Sequence, residues 1–256
     1  MQTHNATVID QFTRQADAFA AAAAIRDDQA LQLLVRGCGA DASDESLDVA
    51  CGPGLVVCAF GEVVRAATGI DLTPAMVLRG KTLAASKSLA NVSFSIGDVT
   101  ALPFADRSFS VVTSRYAFHH FPEPMRVLRE MVRVCAPNGR VAVMDMVASD
   151  DPARAERFNR MERLRDPSHV AGLTLASLRQ CFLDAGLPEP AIAHYRMPVE
   201  LEGLLSASFP NPGDEERVRE MIIASVADDG MGVHTRAKGG KVYFSYPIAL
   251  LVSTMP

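Results

Sequence analysis

Short apolar runs alternate with helical patterns over most of this chain. The runs that predict β-strands lie at residues 47–50, 63–70, 92–96, 109–113, 140–147, 191–200 and 242–252. Apolar residues at helical spacing predict helices at 8–24, 28–37, 55–60, 74–89, 125–135, 151–166, 173–185 and 215–227. Strands that alternate with helices and are continuously apolar indicate a mostly parallel sheet covered on both faces. The chain is therefore predicted to be an α/β protein.

The turn after the first predicted strand is the most distinctive segment, with the sequence LDVACGPG from Leu47 to Gly54. Glycine has no Cβ, so Gly52 and Gly54 allow the backbone to approach a ligand, and the next helix has free N–H groups. Asp71 closes the second apolar run. A glycine-rich first turn followed by a carboxylate at the end of the next strand suits the ribose of an adenosine ligand. The third glycine of G-x-G-x-x-G is missing, which disfavours a pyrophosphate.

Composition narrows the class of ligand. The chain has 256 residues, of which 48% are apolar and 21% charged, as expected for one large domain with a sizeable core. Its net charge is −5, from 25 basic and 30 acidic residues, and no block of Lys or Arg stands out. Because a nucleic-acid partner usually requires a basic surface, these numbers favour a small-molecule ligand.

The cysteines and the apolar segments predict the location. Five scattered cysteines without a C-x-x-C pair indicate reduced thiols rather than disulfides or a zinc site, and no metal-ligating cluster stands out. The alanine run at 20–24 lacks the basic segment of a signal peptide, and no apolar stretch reaches membrane-spanning length. We therefore expect a cytoplasmic protein without a membrane partner.

Polar residues cluster where the predicted strands end. Ligands of parallel sheets bind at the carboxyl ends of the strands, so these positions are the candidates for a site. In chain order they are Asp48 with Gly52 and Gly54, then Asp71, Asp98, the segment 114–120 and Asp145.

Five motifs in order resemble a known family: LDVACGPG, GIDLTPAM, GDVTALPFADRSFSVV, AFHHFPEP and PNGR. Together they are similar to class I S-adenosylmethionine-dependent methyltransferases, in the small-molecule branch that contains the ubiquinone and menaquinone C-methyltransferases. The resemblance covers 41–147 strongly and the later strands weakly. It implies a doubly wound, mostly parallel, seven-stranded sheet of the Rossmann-like methyltransferase type in a single domain. Residues 1–40 would form a helical lid, 41–147 the cofactor-binding core, and 148–256 a helical insertion with the last strands.

The resemblance also implies roles at the glycine turn. Asp48 would orient this turn or the methionine end of S-adenosylmethionine, and Gly52 and Gly54 would let the backbone approach it. Ser114, at the end of the fourth strand, would contact the methionine portion. Ala50 stands where the family usually has its first glycine, so we expect a tighter turn.

The adenosine portion would be held by the next two strand ends. By resemblance, Asp71 accepts hydrogen bonds from both ribose hydroxyls, and Leu72 lies beside the adenine. Asp98 accepts from the adenine amino group, and Val99 packs on the ring. Met76, in the helix after Asp71, is also placed among the cofactor-binding residues.

Four residues are candidate bases for removing a proton from the methyl acceptor: His119, His120, His169 and Asp145. Adjacent side chains point in different directions, so at most one of His119 and His120 is expected to face the acceptor, and the other is a candidate for a structural role. Arg115 would bind a substrate anion or pair with a local carboxylate. We take His119, His120, Arg115 and His169 as the catalytic candidates.

The N-terminal helix offers a lid. Phe12, Arg14, Gln15 and Phe19 would cover the cofactor, although helix packing explains Phe12 and Phe19 equally well.

The acceptor class follows partly by exclusion. The segment Ser114-Arg115-Tyr116-Ala117 replaces the Asn/Asp-Pro-Pro-aromatic motif, which disfavours DNA-adenine and protein-glutamine methylation. The remaining prediction is methylation of an O, N or C atom of a small molecule such as a quinol, phenol or heterocycle, in a chain compatible with a homodimer. Two alternatives stay open: an NAD(P)-dependent oxidoreductase, and a catalytically idle subunit that binds S-adenosylmethionine.

Overall fold

The computed structural model describes residues 2–21 and 27–256, with the side chains of 3–16 and 27–256. The helices are α1 (Gln2–Ala21), α2 (Asp28–Gly37), α3 (Leu55–Gly61), α4 (Pro74–Ser86), α5 (Pro124–Val134), α6 (Pro152–Arg165), α7 (Leu175–Asp184), α8 (Leu201–Ser206) and α9 (Asp214–Asp228). The strands are β1 (Glu45–Val49), β2 (Ala66–Asp71), β3 (Val92–Ile96), β4 (Phe109–Arg115), β5 (Cys135–Met146), β6 (Ala191–Glu200), β7 (Arg236–Lys238) and β8 (Lys241–Thr254).

A single sheet runs through the molecule in the order β3-β2-β1-β4-β5-β8-β6. The first five strands are parallel, and β8 lies antiparallel between β5 and β6. This path confirms the predicted doubly wound, mostly parallel sheet of seven strands. The count needs one correction, because β7 pairs with β8 as an eighth strand of three residues. It is too short and too exposed to carry an apolar pattern, and the chain turns back through Gly239 and Gly240, both at positive φ.

Several boundaries differ from the predicted ones. Strand β4 runs on to Arg115, and α1 begins at Gln2 instead of residue 8. Residues 137–139 of the PNGR motif precede the predicted strand at 140–147 but lie inside β5, where Asn138 has a φ of 60° and the pairing with β4 shifts register. The short helix α8 was not predicted. The side chain of Phe19, a candidate for the lid, lies outside the described residues.

The core lies on both faces of the sheet, because adjacent residues of a strand point to opposite sides. Val111 and Val112 of β4, for example, belong to two different apolar clusters. The first includes Phe60 and Phe158, and the second includes Leu128. None of the helices in the described ranges combines the length and apolar character that crossing a bilayer requires.

The strand order fixes where a ligand can bind. β1 pairs with β2 on one side and with β4 on the other, so the order of the strands reverses at β1. In open α/β sheets ligands bind at the carboxyl ends of the strands beside such a reversal.

Candidate functional site

A cavity that opens to solvent lies at the carboxyl ends of β1, β2 and β4 beneath α1, and its empty space, including the solvent at its mouth, is about 1120 Å³. Ten of the residues predicted to form the site line it: Asp48, Ala50, Gly52, Asp71, Leu72, Met76, Asp98, Val99, Arg115 and His120. The structure therefore brings most of the predicted strand-end residues to one wall.

The glycine turn has three left-handed residues, Ala50 with a φ of 57°, Gly52 with a φ of 51° and Gly54 with a φ of 80°. Among the described residues, a Cβ added at Gly52 would meet no atom within 4 Å, so this part of the turn is open. Ala50 keeps the conformation that a glycine would adopt freely. Its methyl group therefore strains the turn by roughly 1–2 kcal/mol.

Two predicted cofactor residues, Gly54 and Ser114, lie outside the cavity wall. A Cβ at Gly54 would lie 2.7 Å from the Phe94 ring and 2.8 Å from Cα of Gly80, so this glycine is required for packing of α3. The Ser114 hydroxyl is fully buried and donates to the Val49 carbonyl at 2.8 Å, which ties β4 to β1. Both residues therefore stabilise the glycine turn through packing and hydrogen bonding on the side away from the cavity.

Asp71 is held by backbone N–H groups on both of its oxygens. Oδ2 accepts from Gly52 N–H and Oδ1 from Thr73 N–H, each at 2.8 Å. Burial raises the pKa of Asp71, and these two hydrogen bonds oppose the rise. Thr73 precedes α4 without capping it through its side chain, and its hydroxyl is buried without a hydrogen-bond partner among the described residues. The carboxylate thus links the glycine turn to the start of α4 and keeps lone pairs for a ligand.

Asp98 is oriented in the same way by its own loop. Oδ1 accepts from the Thr100 N–H at 2.8 Å and from the Thr100 hydroxyl at 2.7 Å, and Oδ2 accepts from the Asn5 side chain at 3.1 Å. Partial burial opposes ionisation of Asp98, but these hydrogen bonds outweigh it and lower the pKa. Asp98 is therefore a fixed, charged acceptor.

Asp48 lies deeper, with only 4% of its surface exposed. Its Oδ1 accepts from the Thr113 hydroxyl at 2.8 Å. Burial raises the pKa of Asp48 to about 7, against the hydrogen bond from Thr113 and the charge of Arg115. A carboxyl group with this pKa responds strongly to a cation placed beside it.

Of the three candidate histidines, His120 reaches the cavity. Its Nδ1 lies 3.1 Å from both the carbonyl and the hydroxyl oxygen of Ser168. A carbonyl can only accept, so Nδ1 carries the hydrogen and Nε2 holds a lone pair. The Ser168 hydroxyl donates in turn to Asp166 at 2.6 Å. Burial and the neighbouring His119 lower the pKa of His120 to about 4, so the ring is neutral near pH 7.

His119 and His169 lie behind this wall. His119 Nδ1 is 2.7 Å from Asp145. Burial lowers the pKa of His119, but the charge and hydrogen bond of Asp145 outweigh this effect, so the pKa is raised overall. His169 Nε2 is 2.9 Å from the Asn159 side-chain oxygen, and burial lowers the pKa of His169. Of the four catalytic candidates, Arg115 and His120 thus line the cavity, and His119 and His169 do not. In the described part of the chain, no three His, Cys, Asp or Glu side chains are arranged to hold a metal ion.

Helix α1 supplies a wall that the sequence analysis mostly missed. His4, Asn5, Val8 and Phe12 line the cavity. His4 Nε2 donates to the His120 carbonyl at 2.8 Å, and the Phe12 ring meets the His120 ring edge-on at 5.0 Å. The spacing 4, 8, 12 was the available signal, since residues four apart share a helix face.

Two other expected lid residues of α1 lie outside the cavity wall. Arg14 lies over the Phe209 ring at 5.4 Å, and Gln15 donates to Asp166 at 3.5 Å. They fasten the helix to the rest of the protein, and the part of α1 that lines the cavity ends before them, at Phe12.

Comparison with known proteins points to one enzyme family. Residues 47–143 match the family described as Methyltransferase domain. The chain is 31% identical over 206 residues to the uncharacterized methyltransferase YcgJ of Bacillus subtilis, covering 80% of this chain and 81% of the relative. The crystal structure of YcgJ superposes with a TM-score of 0.81 at 27% identity, covering 89% of this chain and 98% of that one.

Two relatives with named activities are more distant. A ubiquinone/menaquinone biosynthesis C-methyltransferase of Bdellovibrio bacteriovorus is 33% identical over 49% of this chain and 54% of its own length. The 27-O-demethylrifamycin SV methyltransferase of Amycolatopsis mediterranei is 32% identical over 61% of this chain and 60% of its own length. The chain therefore spans little more than half the length of these two proteins.

Proposed function

The chain belongs to the class I S-adenosylmethionine-dependent methyltransferases, and from this membership and the cavity we propose which residues hold the cofactor and which receive the acceptor. It transfers a methyl group from S-adenosylmethionine to a small molecule. When bound, this cofactor supplies an electrophilic methyl group on a positively charged sulfur, so the protein's task is mainly to align the acceptor with it.

The donor set of the cavity fits this cofactor. Asp71 carries the proposal, because its carboxylate faces the cavity while two backbone N–H groups fix its orientation. We assign it to the ribose hydroxyls. Asp98 is assigned to the adenine amino group, with Leu72, Val99 and Met76 as apolar walls for the ring. The open, left-handed turn at Ala50 and Gly52 leaves room for the backbone to approach the rest of the molecule.

His120 is assigned to the acceptor. His120 lines the cavity, and its Nδ1–H donates to the Ser168 carbonyl, which leaves the lone pair on Nε2. A neutral imidazole in this position can take the proton of an acceptor as the methyl group is transferred. The charge that develops on the ring lies near Asp166, which is hydrogen-bonded to the same Ser168. His119 and Asp145 then serve to position the loop that carries His120, since Asp145 accepts from the His119 N–H at 3.1 Å.

The walls around His120 suggest the class of acceptor. Phe12, Val8 and Phe121 are apolar and line the cavity on that side. A flat, mostly apolar molecule with one protic nucleophile, such as a quinol, a phenol or a heterocycle, matches such a wall. By their names, one relative is a C-methyltransferase of ubiquinone and menaquinone biosynthesis and the other methylates 27-O-demethylrifamycin SV, which supports the same class. Cytoplasmic location and homodimer formation stay predictions from the sequence.

Two measurements test this function. We expect isothermal titration calorimetry to show binding of S-adenosylhomocysteine, the demethylated product, with micromolar affinity. We also expect transfer of a tritiated methyl group to a member of a panel of phenols, quinols and heterocyclic amines. Absence of product binding would contradict the assignment of the cavity. Binding without transfer to any class of small molecule would instead favour the idle binding subunit.

A further inference from the structure

Asn5 of α1 lies in the cavity wall beside Asp98. Its side-chain nitrogen donates to Oδ2 of Asp98 at 3.1 Å, across 93 positions of the chain. Asparagine is a weak helix former, because its side chain competes for backbone hydrogen bonds. Here the side chain leaves its own helix and contacts a charged group of the proposed cofactor site. The assignments made to Asp71, Asp98 and His120 leave Asn5 without a role.

The carboxylate of Asp98 fixes the orientation of the Asn5 amide. Hydrogen bonds hold the pKa of Asp98 below its usual range, so the group is ionised and only accepts. The NH₂ of Asn5 therefore faces Asp98, and turning the amide over would place its oxygen against the carboxylate. Oδ1 of Asn5 points away from this contact and accepts no hydrogen bond within the described part of the chain.

Both side chains are also held from elsewhere in the molecule. The neighbouring His4 donates to the His120 carbonyl at 2.8 Å, and α1 packs against α4, which keeps the first turns of α1 over the cavity. Asp98 is oriented independently, because the N–H and the hydroxyl of Thr100 both donate to its Oδ1. Oδ2 of Asp98 and Oδ1 of Asn5 are thus two fixed acceptors separated by one amide group.

Two neighbouring acceptors match an exocyclic amino group, which carries two N–H bonds that point in different directions. One N–H can donate to Asp98, whose Oδ2 has a second lone pair, and the other to Oδ1 of Asn5. We propose that Asn5 is a specificity-determining residue that binds the adenine amino group together with Asp98 and selects against a purine with an oxygen at that position. Such an oxygen would bring a lone pair against two acceptors and leave both unpaired.

This inference rests on the proposed function, since it concerns the same cofactor. It adds a residue from outside the segment 47–143 that matches the family, because the contact comes from the N-terminal helix.

The test compares two ligands that differ in the purine. S-adenosylhomocysteine has the amino group, whereas S-inosylhomocysteine has an oxygen in its place and a hydrogen on the adjacent ring nitrogen. In calorimetry we expect the wild-type protein to bind S-adenosylhomocysteine roughly 10- to 100-fold more tightly, the range for hydrogen bonds to a charged group. Each variant is measured on this ratio of the two affinities.

Asn5→Leu keeps the approximate size of the side chain and removes both of its polar groups. It should lower the ratio by roughly 3- to 10-fold, as expected for one neutral hydrogen bond, with S-inosylhomocysteine bound within about twofold of wild type. Asn5→Ala should lower the ratio by the same amount, which shows that the leucine does not itself obstruct the purine. Both replacements are better helix formers than asparagine, so α1 should stay folded, and the melting temperature checks this.

Thr7→Ala is the matched control in the same helix. Thr7 donates to the Thr3 carbonyl within α1 and does not line the cavity, so its removal should leave the ratio at the wild-type value.

The proposal is overturned if the wild-type ratio is near one, or if both Asn5 variants keep the wild-type ratio. An equal change in both affinities overturns it as well. An equal loss would show that Asn5 only closes the cavity, and an equal gain that it only competes with the ligand for Asp98. If the wild-type protein binds neither ligand, the proposed function itself fails, which is a different result.

Discussion

The cofactor half and the acceptor half of the cavity are built in different ways. In the cofactor half, Asp71 and Asp98 each accept from a backbone N–H only two residues further along the chain, at Thr73 and Thr100. In the acceptor half, His120 contacts His4, 116 residues away, and Ser168, 48 residues away. The cofactor half is held mostly by its own strand ends, with Asn5 of α1 as its one distant hydrogen-bond donor among the contacts described above, whereas the acceptor half is assembled from distant segments.

This difference separates binding from catalysis. The carboxylates of the cofactor half keep their orientation as long as their own loops form. The orientation of His120 depends on α1, on the loop at 166–169 and on the loop after β4 at the same time. We therefore expect substitutions in the first half to change affinity for the cofactor, and those in the second half to change methyl transfer or stability.

The largest expected effect is that of Asp71→Ala on binding. The substitution removes the acceptor of two backbone N–H groups and of both ribose hydroxyls, so affinity for S-adenosylhomocysteine should fall by about 10³-fold or more. Calorimetry measures it. Asp106→Ala, which removes an exposed carboxylate paired with Arg133, should leave the affinity unchanged. A folded Asp71→Ala protein that binds within threefold of wild type would remove the basis for the cofactor half.

His120→Gln should separate the two halves. We expect the rate of methyl transfer to fall by about 10²- to 10⁴-fold, as for loss of a general base, with product affinity within a few-fold of wild type. The rate is followed with the acceptor found in the tritium screen. His194→Gln, at an exposed histidine of β6, provides the control. A parallel loss of rate and affinity would show that His120 supports the cofactor instead of the acceptor.

Acid should destabilise the protein through the acceptor half. His120 has a pKa of about 4 in the folded protein and about 6.5 when unfolded, so its contribution is present above pH 6.5 and declines as the pH falls towards 4. Between pH 7 and 5 we expect His120 to account for about 2 kcal/mol of lost unfolding free energy. Burial of His169 acts in the same direction, and the raised pKa of His119 opposes it.

Urea unfolding of wild type and His120→Gln at both pH values measures this contribution. The variant should lose less stability on acidification than the wild type. Equal losses would show that His120 is not responsible, whatever the total acid sensitivity of the protein.

The smallest effect is expected at the turn itself. Ala50→Gly relieves the strain of a positive φ but adds freedom to the unfolded chain, so the net gain should be about 0.5–1 kcal/mol. Ala85→Gly, at an exposed position of helix α4, should instead cost about 1 kcal/mol. Thermal melts of both variants give the comparison, and a destabilised Ala50→Gly protein would contradict the strain assigned to this residue.

The sequence by itself determined the order of strands and helices and most of the cofactor half. Asp71, Asp98 and the glycine turn could be found because each closes an apolar strand, and because parallel strands bring their carboxyl ends to one edge. The resemblance in five motifs supplied the family, which the comparisons confirmed.

Only the tertiary structure decided which residues face the cavity. The order of the motifs does not predict that Gly54 packs against Phe94 or that the Ser114 hydroxyl links β4 to β1, because both contacts involve residues from other strands. It also could not separate His120 from His119, because adjacent side chains diverge and the direction of each depends on Ser168 and Asp145. The α1 wall was hidden for the same physical reason: its contacts join residues more than 90 positions apart, and such pairs leave no local pattern.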